Sequence, residues 1–387
     1  MKRFSLMLLV VVLAMTMTLV GCGSKDEGAA GTPNSQANSD TPAPEKPKEL
    51  PNFKIGYIYT NHQTPLMLAA DKAEELKGEG VYLKEVIEKQ KYTLMENDEP
   101  IANIELVVNK NGSETMTMIA QGHIDLALAS NTAFITSRDQ GNPVKILAPV
   151  HTEGIGLVVG KDSVINNWED FVAIVDKGEK QLSVGYHSPT SAPLILFEAA
   201  LREAGIEYTK DPANVKVPVL LVDLKGTSNL LPAMTSKQVD AWVGPSPYPE
   251  LAVTEGVGKI ALDMKHMEPE GKWHDFPCCV LGTTDNVIAQ YPEEVKKIVD
   301  LIKVAAHYSS EHMDEAAIVT AEFTGVALEA AQMSTIKYTA DPSEAWVNNM
   351  GITYDTLKAT ESLSKDLVDK DFEAAKAEIF DFSFVGK

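Results

Sequence analysis

The chain has 387 residues, of which 44% are apolar, 23% charged and 7% aromatic. At roughly 100 to 200 residues per domain that is enough for two lobes or domains. Its 34 Lys and Arg against 55 Asp and Glu give a formal charge of −21, with no dense basic run, which argues against nucleic acid as a partner. Three cysteines cannot supply a disulfide framework in so long a chain, so stability must come from packed apolar cores.

The N-terminus carries Lys2 and Arg3, then an apolar run ending at Val20, the layout of a secretory signal rather than of a folded element. The run closes on Leu19-Val20-Gly21-Cys22, which resembles the bacterial lipobox. The resemblance implies a lipoprotein signal peptide over residues 1–21 and a lipidated Cys22. Residues 22–52 then read as the lipidated residue and a disordered tether, because this stretch has almost no large apolar side chain to offset its ordering entropy. Acyl chains contribute about 0.8 kcal/mol per buried methylene, so several chains on Cys22 would hold the protein at a bacterial membrane, on its extracytoplasmic side. No later apolar run reaches the length of a membrane span.

From residue 53 strand-like and helical patterns alternate. Phe53 to Tyr59 reads as a strand, Pro65 to Leu76 as a helix, Ile104 to Val108 as a strand, Glu114 to Gln121 as a helix, and Ile124 to Ala129 as a strand. The grammar restarts with strands at Gly156 to Val159 and Leu182 to Tyr186 and a helix over Ala192 to Ala204. Strands at Val217 to Val222 and Val239 to Val243 follow, with a short helix near Asn229 to Thr235 between them. Strands joined by crossover helices predict parallel α/β sheets in two lobes. Gly112-Ser113 with the later Ile124-Asp125 echoes Gly226-Thr227 with Val239-Asp240, each a capped helix followed by a strand that opens on Asp. After a strand at Cys279 to Gly282, helices are predicted over Pro292 to Tyr308, Met313 to Phe323, Ala327 to Met333, Pro342 to Met350 and Tyr354 to Leu367. This tail is expected to pack back on the first lobe. The boundaries are then 53–150 for the first part of lobe 1, 151–276 for lobe 2 and 277–387 for the return to lobe 1, with two hinge crossings.

Ligands of open sheets sit beyond the carboxyl ends of strands, where helix N-termini expose unpaired N–H groups. Four polar turns occupy such places: Asn61-His62-Gln63-Thr64, with Thr64 as N-cap of a helix that has Pro65 at its first position; Ser130-Asn131-Thr132; His187-Ser188-Pro189-Thr190-Ser191; and Gly244-Pro245-Ser246. Each also has a reading as plain turn chemistry or linker. Thr152 and Glu153 fall at the first crossing, where an acid suits a ligand that donates a hydrogen bond, or a solvated hinge. Cys278 and Cys279 fall near the second as buried free thiols, and Cys278 is placed to line the pocket. No nucleophile elbow, dinucleotide or P-loop fingerprint, or zinc-protease helix is present; His307 and His312 are five apart, so one helical face does not present both to a metal, and His266 with His274 have no partner cysteine pair at zinc spacing, so no metal and no cofactor is assigned.

GYIYTNHQTPLMLA, NGSETMTMIAQGHIDLALAS, Gly154 to Gly160, GYHSPTSAP, QVDAWVGPSPYPE and the helix start at Tyr291 to Val295 are similar to the solute-binding lipoproteins of ABC importers, in the nitrate, sulfonate, taurine and thiamine-pyrimidine-precursor group. The resemblance covers essentially the whole chain. It implies the type II periplasmic-binding-protein fold, a ligand between two hinged lobes, and delivery to a membrane ABC permease. Carried over by position, its ligand loops correspond to Asn61 to Thr64, Ser130 to Thr132, Thr152 with Glu153, His187 to Ser191, and Gly244 to Ser246. The expectation is a monomeric, non-enzymatic carrier of a small polar solute such as a sulfonate, nitrate, taurine or pyrimidine precursor. Two alternatives stay open: an extracytoplasmic pyrimidine-synthase-like enzyme with His62, His187 or Cys278 reactive, and a ligand-sensing domain.

Overall fold

The computed structural model describes residues 49–386, so the expected signal peptide, the expected lipidation at Cys22 and nearly all of the expected tether lie outside the described residues. The first sheet has seven strands: β1 (Asn52–Ile58), β2 (Val81–Ile87), β3 (Lys91–Glu96), β4 (Glu99–Asn109), β5 (Leu126–Ser130), β6 (Val144–Pro149) and β14 (Cys279–Thr284). Its order is β2-β3-β4-β1-β5-β14-β6. Strand β1 lies in the middle, parallel to β4 and β5, with Phe53, Ile55, Tyr57 and Ile58 all buried. A near-continuous apolar run is what a parallel strand covered on both faces requires.

The second sheet has six strands: β8 (Ile155–Gly160), β9 (Leu182–Tyr186), β10 (Tyr208–Thr209), β11 (Val219–Asp223), β12 (Ala241–Pro245) and β13 (Gly258–Asp263), in the order β10-β11-β9-β12-β8-β13. The short β7 (His151–Thr152) pairs with β15 (Lys337–Tyr338) apart from both sheets. The chain passes between the sheets twice, from β6 to β8 and from β13 to β14. This is the two-lobed α/β fold of periplasmic binding proteins.

The sheets are mixed rather than purely parallel, because β14 runs against β5 and β6, and β8 against β12 and β13. A strand that re-enters a sheet from the other lobe arrives head to tail with its neighbours. Strands β2 and β3 were not anticipated. Lys84 and Glu85 put charge on the exposed half of edge strand β2, which masks its period while protecting the edge from pairing. Two expected helices are one, Glu344–Ala359. Gly351 breaks the sequence pattern there, yet the helix runs through it, and the missing Cβ leaves room for the ring of Phe372, whose Cδ1 would lie 3.1 Å from one. Phe372 opens a further helix, Phe372–Ile379, that the pattern did not show.

The returning helices Pro292–Glu311 and Met313–Thr324 pack on Thr64–Asp71 of the first lobe. Two later ones reach across. Leu328–Gln332 lies against Tyr248–Thr254 of the second lobe, and Glu344–Ala359 touches both Asn131–Asp139 and Ala192–Glu203. The tail therefore braces the two lobes as well as covering the first. Among the described residues no helix is long and apolar enough to cross a membrane.

The sequence echo is a repeated joint. Asp125 donates its N–H to the Lys54 carbonyl (2.9 Å) while its carboxylate accepts the Lys54 N–H (2.7 Å). Asp240 does the same with Ser183, at 2.9 and 3.0 Å. In each lobe the Asp locks the start of a strand to its parallel neighbour.

Candidate functional site

The carboxyl ends of the parallel strands of both sheets meet at one place. Ile58 ends β1 and Thr60, His62 and Gln63 follow it, while Gly112 follows β4 and Ser130 closes β5. From the second lobe come His187, Ser191, Ala192 and Pro193 after β9, Thr227 after β11 and Pro245 at the end of β12. Cys278 and Cys279 complete the lining at the start of antiparallel β14. The enclosed space is about 30 Å³, room for one or two water-sized groups, so the lobes are closed on each other. A depression of about 760 Å³, bordered by Lys161, Lys177, Lys180 and Lys237, lies instead at the amino ends of β9 and β12. Size does not mark the ligand site here; the exposed helix starts lie at the other end of the sheet.

The cleft is latched by its own hydroxyls. Ser113 of the first lobe bonds Ser188 (2.9 Å) and Thr190 (3.0 Å) of the second, and the Thr190 carbonyl accepts from Ser130 (3.0 Å) and Thr132 (2.6 Å). Ser191 donates to the Ser188 carbonyl (2.8 Å), which leaves the helix Ala192–Glu203 with no side chain capping its first turn. Those free N–H groups adjoin the cavity. Ser130 caps Asn131–Asp139 through the Ala133 N–H (3.3 Å), so it is a cap and a lining residue together.

Of the residues expected to bind ligand, His62, Gln63, Ser130, His187, Ser191, Pro245 and Cys278 line the cavity. The others are engaged elsewhere. Asn61 donates to the Ala331 carbonyl (3.1 Å), and Asn131 donates to the Pro277 carbonyl (2.8 Å). Thr64 is not the N-cap that its position before Pro65 predicts: it is the first helical residue, Gln63 takes the cap position, and its hydroxyl meets that of Thr320 (2.5 Å). Thr152 pairs with Lys337 in the β7–β15 ladder, and Ser246 donates to Glu250 (2.7 Å). Gly244 faces Leu230 and Trp242 in the core, where a Cβ would collide with both. Gly112, Thr227 and Cys279 were missed, although Gly112 and Thr227 open the two echoing segments and that echo could have pointed to them.

Glu153 is not free to receive a ligand. Its carboxylate, 1% exposed, accepts from Lys265 (3.0 Å), Lys337 (3.0 Å) and the Asp275 N–H (3.1 Å). Burial opposes its charge, but the two ammonium groups and the amide outweigh burial and hold its pKa below the usual carboxylate value. Glu153 and Gly154 are both left-handed, with φ of 63° and 71°. That turn brings the Gly154 carbonyl to His62 Nε2 (2.7 Å), and a Cβ on Gly154 would stand only 3.2 Å from the same nitrogen.

His62, Cys278 and Cys279 of the cavity wall form one buried cluster with His151 behind them. The Gly154 carbonyl can only accept, so His62 Nε2 carries the proton and Nδ1 presents a lone pair to Cys278 Sγ (3.3 Å) and Cys279 Sγ (3.9 Å). His151 Nε2 accepts the Cys279 N–H (3.2 Å) and its Nδ1 faces the Thr152 carbonyl (3.3 Å). Burial and the neighbouring His62 lower the His151 pKa to about 4. Burial also lowers His187 to about 4, so both rings are neutral near pH 7. Burial raises the pKa of the Cys278 thiol, which is therefore protonated near pH 7 and can donate to His62 Nδ1. His187 Nδ1 and Asn61 Oδ1 are buried without a hydrogen-bond partner.

A small cavity between two α/β lobes joined by two crossings is the architecture of the periplasmic-binding-protein fold. The chain belongs to the NMT1-like family, whose family model matches residues 46–323. It is 32% identical over 113 residues to an uncharacterised protein of Methanocaldococcus jannaschii, covering 29% of this chain and 78% of that one. Among solved structures it is similar to the nitrate-binding protein NrtA of Synechocystis PCC 6803, with TM-score 0.66, 17% identity, and 87% of this chain and 88% of that one covered. It is also similar to the ligand-binding component of an ABC-type import system from Staphylococcus aureus, solved with zinc bound, with TM-score 0.66, 16% identity and coverage of 86% and 97%. A third is the alkanesulfonate-binding protein SsuA of Xanthomonas axonopodis pv. citri bound to MOPS, with TM-score 0.60, 14% identity and coverage of 82% and 96%. At these identities the likeness is one of fold.

Proposed function

We propose that this protein is the extracytoplasmic solute-binding component of an ABC importer, tethered to the membrane through lipidated Cys22, and that it carries a small polar solute in the interlobe cavity to a permease. The observation that carries this reading is the cavity itself: strand ends of both lobes converge on it, and His187 Nδ1 is buried there with no partner. A buried polar atom left unpaired costs about 1–3 kcal/mol, which a ligand that pairs with it recovers. No Lys or Arg lines the cavity. An oxyanion such as nitrate or a sulfonate would be held by hydroxyls and the uncapped helix start at Ala192, and a pyrimidine edge by His187 and Ser130. A taurine-sized solute exceeds the closed volume, so it enters and is held with the lobes further apart than they stand here, and it shifts the balance toward that wider state by its differential affinity for it.

The test is calorimetric titration of the full chain with nitrate, taurine, alkanesulfonates and pyrimidines, with small-angle scattering before and after ligand. Binding without contraction is expected, because the unliganded lobes are already shut and must part to admit a solute, and His187→Ala should weaken it about tenfold, equivalent to about 1.4 kcal/mol. Failure of every compound to bind, in a chain with native circular dichroism, would sink the reading. The Cys278–His62 contact favours one second reading, an enzyme with a thiol nucleophile. Turnover of a bound compound that Cys278→Ser abolishes would replace the carrier by that enzyme.

A further inference from the structure

The tightest group of metal-ligating side chains among the described residues is the cluster at the floor of the cleft. His62, His151, Cys278 and Cys279 each offer one donor atom, and the four atoms lie within 4.8 Å of one another. They are 2%, 0%, 1% and 5% exposed, so water does not compete for them. With metal–sulfur bonds near 2.3 Å and metal–nitrogen bonds near 2.0–2.1 Å, the edges of a tetrahedral site are about 3.3–3.8 Å. The distances from His62 Nδ1 to the two sulfurs, 3.3 and 3.9 Å, already match. The widest pair must close by about 1 Å, within the reach of side-chain rotation.

The supporting contacts suit the task. A ligating histidine is usually fixed by a hydrogen bond from its other nitrogen, and the Gly154 carbonyl does this for His62. The Thr152 carbonyl faces Nδ1 of His151, whose Nε2 lone pair is held for now by the Cys279 amide. Two sulfur and two nitrogen donors exclude the oxygen-seeking cations Mg²⁺ and Ca²⁺ and select a thiophilic ion. Charge decides further. Two thiolates neutralise a dication, whereas a monovalent ion would leave a net negative charge in a buried site with no cationic side chain among its ligands.

We propose that His62, His151, Cys278 and Cys279 bind one Zn²⁺-type ion in tetrahedral geometry, and that the ion fastens both interlobe crossings to the first lobe. His151 lies on the crossing from β6 to β8, Cys278 and Cys279 end the crossing from β13 to β14, and His62 follows β1. Loading replaces the two thiol protons, which leave to solvent, and exchanges the Cys279 N–H contact of His151 for the metal bond. The inference rests on the interlobe cleft of the reading above, not on the solute that the cleft carries.

The test uses the full chain in a Cys22→Ala background, so that no third thiol competes, reduced, freed of metal and kept anaerobic. It is titrated with Co²⁺ as a spectroscopic probe, then with Zn²⁺ against a chromophoric chelator. One equivalent of Co²⁺ should give intense tetrahedral d–d bands with thiolate charge transfer, and Zn²⁺ should erase them. Cys278→Ser and His151→Gln should each weaken Zn²⁺ binding on the order of 100-fold. His307→Gln, at an exposed position on the helix Pro292–Glu311, should change nothing. Circular dichroism separates lost ligation from lost folding, and should both site variants unfold, the wild-type spectrum alone decides the geometry. A natively folded wild type that takes up no Co²⁺, or binds it without charge transfer, overturns the proposal. Solute binding that persists in chelator while no metal binds would refute the metal site alone, and metal binding with no solute would refute only the carrier.

Discussion

Replacing Glu153 by Gln removes one negative charge at nearly constant volume from a point where both crossings and the tail meet. Glu153 itself lies on the first crossing, Lys265 follows β13, the Asp275 amide belongs to the second crossing, and Lys337 comes from the tail. A hydrogen bond to a charged group is worth about 1.5–3 kcal/mol when buried. Three such bonds overstate the loss, because Lys265 keeps Asp263 (3.4 Å), Lys337 keeps Asp275 (2.8 Å), and Lys337 is 56% exposed and so screened by solvent. The net cost of Glu153→Gln is therefore about 2–3 kcal/mol. An unfolding entropy of about 2.1 cal/mol/K per residue gives about 0.7 kcal/mol/K over the described chain, which converts that loss into a fall in Tm of about 3–4 °C. Thermal melts followed by circular dichroism, with Lys265→Met and the double variant completing a cycle, measure both the loss and the coupling. A Tm within about 1 °C of wild type, or two substitutions that simply add, would refute the claim that this carboxylate ties the crossings together.

Gly282→Ala should cost about 3 kcal/mol in urea unfolding, since a Cβ there would sit 2.5 Å from the Lys145 carbonyl oxygen and drive into the Phe134 ring. Asp240 has its pKa held low: burial opposes its charge, but Lys180 and Ser183 outweigh it. Its stabilising contribution is thus present above the unfolded value of about 3.9 and is lost as pH falls through the lower folded value. Asp240→Asn should accordingly be less stable than wild type by about 1 kcal/mol at pH 7, a figure discounted for partial exposure, with the gap closing in acid melts. Ser113→Ala removes two hydroxyl contacts that bridge the lobes. Scattering from the unliganded variant should show a larger radius of gyration, and an unchanged profile would mean that these contacts do not hold the cleft shut.

Much of this protein is legible along the chain because it depends on neighbours in sequence. Buried strands such as Phe53 to Ile58 announce themselves as apolar runs, Asp125 and Asp240 mark the strand starts they lock, and polar turns fall where strands must end. The long helix Pro292–Glu311 carries its own 3.6-residue period and begins on a proline. Local chemistry fails where a contact comes from far away. Strand β2 hides its period under edge charges, and Gly351 looks like a helix end until Phe372 is seen against it.

The site divides in the same way. That Asn61 to Gln63, Ser130 and His187 to Ser191 lie at strand ends follows from sequence. Which of their polar atoms remain available does not, because Ser188 and Thr190 spend their hydroxyls on Ser113 across the cleft and Glu153 spends its charge on two distant lysines. His62 stands 89 positions from His151 and 216 from Cys278, its partners in the buried cluster. No spacing rule spans such gaps. Periodicity and capping act over a few residues and so determine the elements; only the closing of two sheets around two crossings determines which side chains share one cavity.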